Sequence, residues 1–128
     1  MTPQILLYNI TDPERKKKIK AVLLHLRVRA RIIEKEAYAA PIGKAAGMDV
    51  TVSTDYDAPT DDFNDEMLVF CFFSDSLLNQ FLLGLRKAGV QIPLKAILTP
   101  SNCSWNSYML HQEISAEHKK MHAKNQTQ

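Results

Sequence analysis

The chain has 128 residues, of which 45% are hydrophobic and 23% are charged, and its formal net charge is +2. These values are typical of one globular domain with one core, so we treat 1–128 as a single domain. The longest apolar run, Met67–Phe73, is far shorter than the roughly 20 residues of a transmembrane helix, and no membrane partner is therefore expected.

The N-terminal segment and the two cysteines predict a cytoplasmic protein. Residues 1–14 lack the basic flank and the small-residue cleavage site of a signal peptide. Cys71 lies inside the apolar run, Cys103 stands apart from it, and there is no CxxC motif. Two cysteines without a framework do not indicate a disulfide scaffold, so we expect two free thiols.

The first half of the chain predicts a strand, a helix and a second strand. Residues 4–10 form a short apolar strand. Asp12 then provides a helix cap before Pro13, and apolar residues at helical spacing predict a helix over 13–27. Residues 28–35 read as a more polar strand at a sheet edge. A short helix is expected to begin at Pro41 and to end at Gly47.

The second half begins with an acidic stretch and then repeats the alternation of strands and helices. Residues 49–66 hold seven acids and no Lys or Arg, which predicts a mobile loop. Residues 67–73 form a strand covered on both faces. A helix capped by Ser74 or Asp75 follows and ends at Gly89. The last elements are a strand over 93–100, a helix from Ser104 towards Met121, and a frayed tail at 123–128.

This order predicts an α/β fold with a four-stranded, mostly parallel sheet. The sheet would be built from two βαβ units, 4–35 and 67–99, with helices on both faces and a C-terminal helix. Strands one and three are expected at its centre. The alternative is a ferredoxin-like α+β fold, in which strands two and three would be antiparallel. The apolar character of 67–73 on both faces favours the parallel sheet.

Three segments carry a resemblance to a known family. They are YAAPIGKAAGM, MLVFCFFSDSLLNQFLLGLRKAG and PLKAILTPSNCSWNSYMLHQEISAEH. Together they resemble the small bacterial proteins grouped as domain of unknown function 3783, most closely over 67–118. The run Leu94–Pro100, followed by Asn102 and Trp105, carries most of the similarity. The resemblance implies a bacterial, cytoplasmic, uncharacterised protein and transfers no catalytic residue.

Polar side chains follow three of the predicted strands. In parallel α/β sheets, ligands bind beyond the carboxyl ends of the strands, close to helix N-termini. If the sheet is parallel, three groups would share one ligand-binding rim. The alternative is that several of these residues only cap helices and that the tryptophan only covers the core. The candidate rim residues are Asn9, Thr11, Asp12, Ser74, Asp75, Thr99, Ser101, Asn102 and Trp105.

No cofactor, metal site or catalytic residue is predicted. The sequence has no glycine-rich phosphate loop. His118 and His122 have the i, i+4 spacing of a metal-binding pair, but zinc needs further protein ligands and none is spaced to complete a site. Cys103 near a helix start has no identifiable base beside it.

These observations favour a small non-enzymatic binding or regulatory domain that uses the rim or a partner surface. One alternative is a small hydrolase or transferase with its site at the strand ends, for which Asp12, Asp75 and Cys103 are the plausible reactive groups. The other is a weak RNA-binding module that uses RKKKIK (15–20) in the first helix. The small net charge and the lack of interleaved aromatic residues do not favour nucleic acid. A protein partner or a homo-oligomer is compatible with the sequence.

Overall fold

The computed structural model describes residues 2–50 and 62–126, with side chains up to Met121. Its strands are β1 (Gln4–Tyr8), β2 (Arg29–Ile32), β3 (Met67–Cys71) and β4 (Leu94–Ile97). Its helices are α1 (Pro13–Leu26), α2 (Ile42–Ala45), α3 (Asp75–Lys87) and α4 (Ser107–Gln126), with a single 3-10 turn at Lys35–Ala37.

The four strands form one mixed sheet in the order β2-β1-β3-β4. β1 is parallel to β2, and β3 is parallel to β4. The central pair, β1 and β3, is antiparallel, with Leu6 opposite Val69. The prediction of a mostly parallel sheet with strands one and three at the centre is confirmed. The ferredoxin-like alternative is wrong, because β2 pairs with β1 instead of running antiparallel to β3.

Alternation of side chains along β1 and β3 builds a separate core on each face of the sheet. On one face, Ile5 and Leu7 of β1 join Leu68 and Phe70 of β3 beneath α1 and α3. On the other face, Leu6, Tyr8, Met67, Val69 and Cys71 meet residues of α2 and α4. The predicted helices on both faces are therefore confirmed, and β3 is buried along its whole length.

Local capping chemistry explains where the first and third helices begin. The Asp12 carboxylate accepts a hydrogen bond from the Glu14 amide, and Pro13 is the first residue of α1. The Ser74 hydroxyl accepts one from the Leu77 amide at the start of α3. Gly89, with φ of 73°, follows the end of α3, where glycine tolerates the left-handed conformation better than other residues.

Three predicted boundaries differ from the structure for identifiable reasons. β3 ends at Cys71 and not at residue 73, because Phe72 adopts a positive φ of 63°. β1 ends at Tyr8 and not at residue 10, because Asn9 adopts a similar φ of 60°, so a left-handed residue directly follows each central strand. The last helix begins at Ser107 and not at Ser104, because the Asn106 side chain accepts a hydrogen bond from the Met109 amide.

The predictions of a mobile loop and of a frayed tail fall partly outside the described residues. Within 49–66, the stretch 51–61 is not described. At its described end, Phe63 is a buried core residue, and Arg15 forms a bidentate ion pair with Glu66 at 2.6 and 3.0 Å. At the C-terminus the helix continues to Gln126.

Candidate functional site

The antiparallel central pair divides the predicted rim into two. The carboxyl ends of β1 and β2 lie at one edge of the sheet, and those of β3 and β4 lie at the opposite edge. The group Asn9, Thr11 and Asp12 is therefore separated from the groups at 74–75 and 99–105. The expectation that all three groups share one rim is wrong, because the two βαβ units point in opposite directions.

At the β3–β4 edge, the predicted rim residues mostly hold the local chain in place. Asn102 accepts a hydrogen bond from the Thr99 amide at 2.8 Å and donates one to the Ile97 carbonyl at 3.0 Å. Its own amide donates to the Thr99 hydroxyl. The Ser74 hydroxyl caps α3, as the helix-capping alternative expects, whereas Asn102 holds the turn after β4 and caps no helix.

Trp105 has a structural position at the same edge. Its half-buried side chain packs against the core beneath α4, and its carbonyl accepts a hydrogen bond from the Ile42 amide at 2.8 Å. Together with Met109 and two polar residues it also lines a small cavity of about 170 Å³. Ser101 is exposed on the turn, and Asp75 is exposed at the start of α3. Ligand binding by these residues remains a prediction.

At the β1–β2 edge, Asn9 organises the end of β1. Its side-chain amide donates to the carbonyls of Phe63 and Asp65, at 3.1 and 3.0 Å. Its side-chain oxygen accepts a hydrogen bond from the Tyr38 hydroxyl at 3.1 Å. Asp12 caps α1 at this edge, and Thr11 is exposed. Asn9 thus connects the end of β1 to Tyr38, which precedes residues 51–61, and to the chain at 63–65, which follows them.

A cluster of aromatic rings lies beneath Asn9. Tyr8 and Tyr38 are fully buried, with ring centroids 5.4 Å apart. Phe63 stacks on Tyr38 with ring centroids 5.0 Å apart and on His111 of α4 with ring centroids 3.9 Å apart. The rings of Phe63 and His111 are nearly parallel, with an interplanar angle of 6°. Burial raises the pKa of both tyrosines above the usual range. These phenols therefore stay neutral at physiological pH and act only as hydrogen-bonding groups.

Beside this cluster, α4 and the end of the acidic stretch enclose a cleft of about 350 Å³, which we call the His111 cleft. Its walls carry an imidazole, two hydroxyls, an amide, an ammonium group and a carboxylate. The Asp62 carboxylate at its margin is paired with Lys35 at 2.8 Å, and this contact lowers the pKa of Asp62. The lining residues are Asp62, Tyr108, His111, Gln112, Ser115, Ala116 and Lys119.

The polar contacts of His111 do not form a catalytic relay. Its Nε2 atom lies 3.2 Å from the Asp65 carboxylate and 3.2 Å from the Ser115 hydroxyl. In a serine-hydrolase relay, the acid orients the imidazole through one nitrogen while the nucleophile uses the other. Because Asp65 and Ser115 share one nitrogen here, this geometry fixes the imidazole in place and does not activate the serine.

The two cysteines are free thiols, as predicted. Cys71 is fully buried, and burial raises its pKa to about 12. A thiol with so high a pKa is not a nucleophile at neutral pH. The half-buried Cys103 thiol donates a hydrogen bond to the Pro100 carbonyl at 3.4 Å.

The predicted absence of a metal site is not tested at the histidine pair, because the side chain of His122 lies outside the described part. Among the described residues, no three His, Cys, Asp or Glu side chains come close enough to hold a metal ion. No helix in the described ranges is long and apolar enough to cross a membrane.

The comparison with protein families identifies the second half of the chain. Residues 66–121 match the model of a family described as Domain of unknown function (DUF3783). Over this stretch the chain is similar to the DUF3783 family. The match covers β3, α3, β4 and α4 up to Met121, and it confirms the resemblance found in the sequence. No curated protein and no solved structure matches the chain.

The DUF3783 match begins at residue 66, so it leaves out Asp62, which lines the His111 cleft, and Phe63, which stacks on His111. None of the site residues predicted from the sequence lines this cleft, and Tyr38, Phe63 and His111 were not predicted. One signal was present: Phe63 is the only Phe, Leu or Ile in the acidic stretch 49–66. An isolated large apolar residue in such a stretch indicates an anchor to the core.

Proposed function

We propose that this chain is a non-enzymatic binding domain that holds a small polar ligand in the His111 cleft. The observation that carries the proposal is the cleft itself, of about 350 Å³, set at the end of a central strand. Small-molecule sites are typically concavities of about 300–1,000 Å³ with a few well-placed polar groups. The cleft falls at the lower end of this range, which favours a ligand the size of a single ring or a short polar metabolite.

The chemistry of the lining supports binding more than catalysis. Tyr108 and Ser115 bring hydroxyl groups that both donate and accept, and Lys119 brings a cation. The fixed imidazole of His111 forms part of the wall, because stacking on Phe63 and the contact with Asp65 hold it. Binding sites need oriented donors and acceptors, whereas an enzyme also needs a free acid, base or nucleophile.

A fragment screen by ligand-observed NMR tests the proposal. Ala116 is an exposed lining residue, so Ala116→Phe fills the cleft without disturbing the core. Ala21 is an equally exposed alanine in α1, far from the cleft in the fold, and Ala21→Phe is the matched control. We expect polar fragments that bind the unmodified protein to lose binding in Ala116→Phe and to keep it in Ala21→Phe. Equal binding to both variants would refute the proposal.

The alternative of a hydrolase or transferase predicts turnover that depends on a reactive group at the strand ends. Ser115 does not have the geometry of an activated nucleophile, because Asp65 and Ser115 contact the same nitrogen of His111. The cap contacts of Asp12 speak against this residue as a free base. Activity assays with p-nitrophenyl acetate test the alternative, since hydrolysis abolished by Ser115→Ala or by Cys103→Ala would establish an enzyme.

The basic surface is the second candidate for a binding function. Lys17, Lys18 and Lys20 of α1 are exposed, and so are Arg27 and Arg29 beyond it. Such a surface attracts phosphates without reading sequence. We expect at most weak RNA binding with a steep salt dependence. Titration of a fluorescent single-stranded RNA at 50 and 200 mM salt tests this, and tight binding that is insensitive to salt would contradict it.

We also propose that the protein is cytoplasmic and bacterial. The two free thiols and the resemblance of the sequence support this assignment. Fractionation of cells that express a tagged chain tests the location, since recovery in the periplasm or in the membrane pellet would contradict it.

A further inference from the structure

A second cavity lies on the opposite side of the sheet from the His111 cleft. It has a volume of about 500 Å³ and lies where the C-terminal part of α3 meets β4 and the turn that precedes it. We call it the α3–β4 groove. Its lining residues are Leu82, Leu85, Arg86, Gly89, Val90, Gln91, Ile92 and Lys95.

The walls of the groove are apolar and belong to the core. Leu85, Val90 and Ile92 are buried, and they extend the cluster beneath α1 and α3. Leu82 packs against the same cluster and is half-buried. The groove therefore offers an aliphatic floor that is part of the folded framework.

The margin of the groove carries two cations and no acid. Lys95 lies on β4, whose register places it beside Leu68 of the same core. Its ammonium group donates a hydrogen bond to the Ile92 carbonyl at 2.5 Å. Burial of part of the side chain lowers the pKa of Lys95, which indicates that its charge is incompletely solvated. Arg86 is exposed on α3, and within the described residues it forms no ion pair.

The Glu66 carboxylate, which Arg15 links to the groove residue Gln91, is already engaged. Glu66 binds Arg15 through both oxygens, and the same guanidinium donates to the Gln91 carbonyl at 2.8 Å. Lys95 and Arg86 therefore face the groove as two cations above an aliphatic floor. A ligand that matches both features has one anionic head and an apolar chain.

We propose that the α3–β4 groove binds a free fatty acid, with the carboxylate between Lys95 and Arg86 and the alkyl chain on Leu82, Leu85 and Val90. The occupant is a single-chain carboxylate and not a membrane. The aliphatic side chains lie in a recess of limited volume, whereas membrane binding would need an exposed apolar face. This site is separate from the His111 cleft, so its test does not depend on the proposed function.

Calorimetric titration of the full chain with decanoate, below its micelle concentration, tests the proposal. We expect saturable one-to-one binding, with no binding of acetate, which lacks the chain, and much weaker binding of methyl decanoate, which lacks the charge. Vesicles of phosphatidylglycerol should not bind. Equal affinity for decanoate and its methyl ester, or binding to the vesicles alone, would overturn the proposal.

Three variants connect the binding to the residues. Lys95→Met should weaken decanoate binding by about tenfold or more, because it removes a charge-assisted hydrogen bond. Arg86→Met should weaken it by a few-fold, as expected for an exposed ion pair. Lys87→Met is the matched control, since Lys87 is exposed on the same turn of α3 and does not line the groove.

Thermal melts of the three variants show that each is folded before titration. If Lys95→Met melts early, Arg86→Met provides the decisive comparison, because Arg86 is exposed and its loss leaves the core intact. Unchanged affinity in both Lys95→Met and Arg86→Met, or an equal loss in Lys87→Met, would overturn the assignment of the carboxylate to this margin.

Discussion

Replacement of Phe63 by alanine tests how the acidic stretch is joined to the rest of the fold. Phe63 is 5% exposed and contacts the rings of Tyr8, Tyr38 and His111. Truncation of a buried phenylalanine to alanine costs about 3–5 kcal/mol, and the loss of ring contacts, each worth about 0.5–1.5 kcal/mol, places Phe63 in the upper part of that range. We therefore expect Phe63→Ala to lower the free energy of unfolding by about 4–5 kcal/mol, a large part of the total for a domain of this size.

Urea unfolding followed by circular dichroism measures this loss. With an m-value of about 2 kcal/mol per M, the midpoint should fall by roughly 2 M. Phe73 is the matched control, because it is a half-buried phenylalanine at the margin of the other core, and Phe73→Ala should cost clearly less. A loss below about 1 kcal/mol in Phe63→Ala would refute the reasoning, since it would mean that Phe63 does not anchor this stretch.

Two further substitutions and one labelling experiment test other parts of the structure. Tyr8→Phe should cost about 1–3 kcal/mol, because it leaves the buried Ser107 hydroxyl without its 2.8 Å partner, and addition of Ser107→Ala should recover part of this loss in urea unfolding. Gly84→Ala should lower the stability by about 1–2 kcal/mol, because its Cβ would lie 2.7 Å from Val22 Cγ1. In thermal melts, Gly84→Ala should lower the melting temperature less in the Val22→Ala background. Equal losses in both backgrounds would contradict this explanation. Cys71, with a pKa raised to about 12, should resist iodoacetamide in the native protein at pH 8 and react in urea, as read by peptide mass spectrometry; rapid native labelling would show that the thiol is accessible.

The local parts of the fold were readable because they depend on neighbouring residues. Asp12 before Pro13, Ser74 before an apolar stripe, and Gly89 after it each mark a helix end through backbone hydrogen bonding or backbone conformation. The uninterrupted apolar run at 67–73 correctly placed β3 at the centre of the sheet. These signals do not depend on how the two βαβ units are arranged.

The direction of β3 relative to β1 was not readable, and the predicted rim failed for that reason. A strand buried on both faces has the same apolar pattern whether its neighbour is parallel or antiparallel, because the side chains alternate in the same way. The long connection between β2 and β3 permits either direction. Once the pair is antiparallel, Asn9 and Asn102 belong to opposite edges of the sheet.

The His111 cleft was only partly readable, because α4 and the acidic stretch that close it are distant in the sequence. Tyr38, Phe63 and His111 are separated by 25 or more residues and belong to three different segments of the chain. Only the tertiary fold stacks Phe63 on both of the others. The lining residues from Tyr108 to Lys119 share one face of α4, and this helical spacing is present in the sequence. The spacing does not show that Asp62 closes the cleft.

A map of amide chemical shifts tests directly whether a small ligand binds in the His111 cleft. A ¹⁵N-labelled sample is titrated with the tightest fragment from the screen. We expect saturable shifts at 62–65 and 108–119, with the His111 amide among the affected groups, and no shifts at 99–102. Shifts centred on Ser74, Thr99 and Asn102 would contradict this expectation, because they would place the binding site at the β3–β4 edge and not in the His111 cleft.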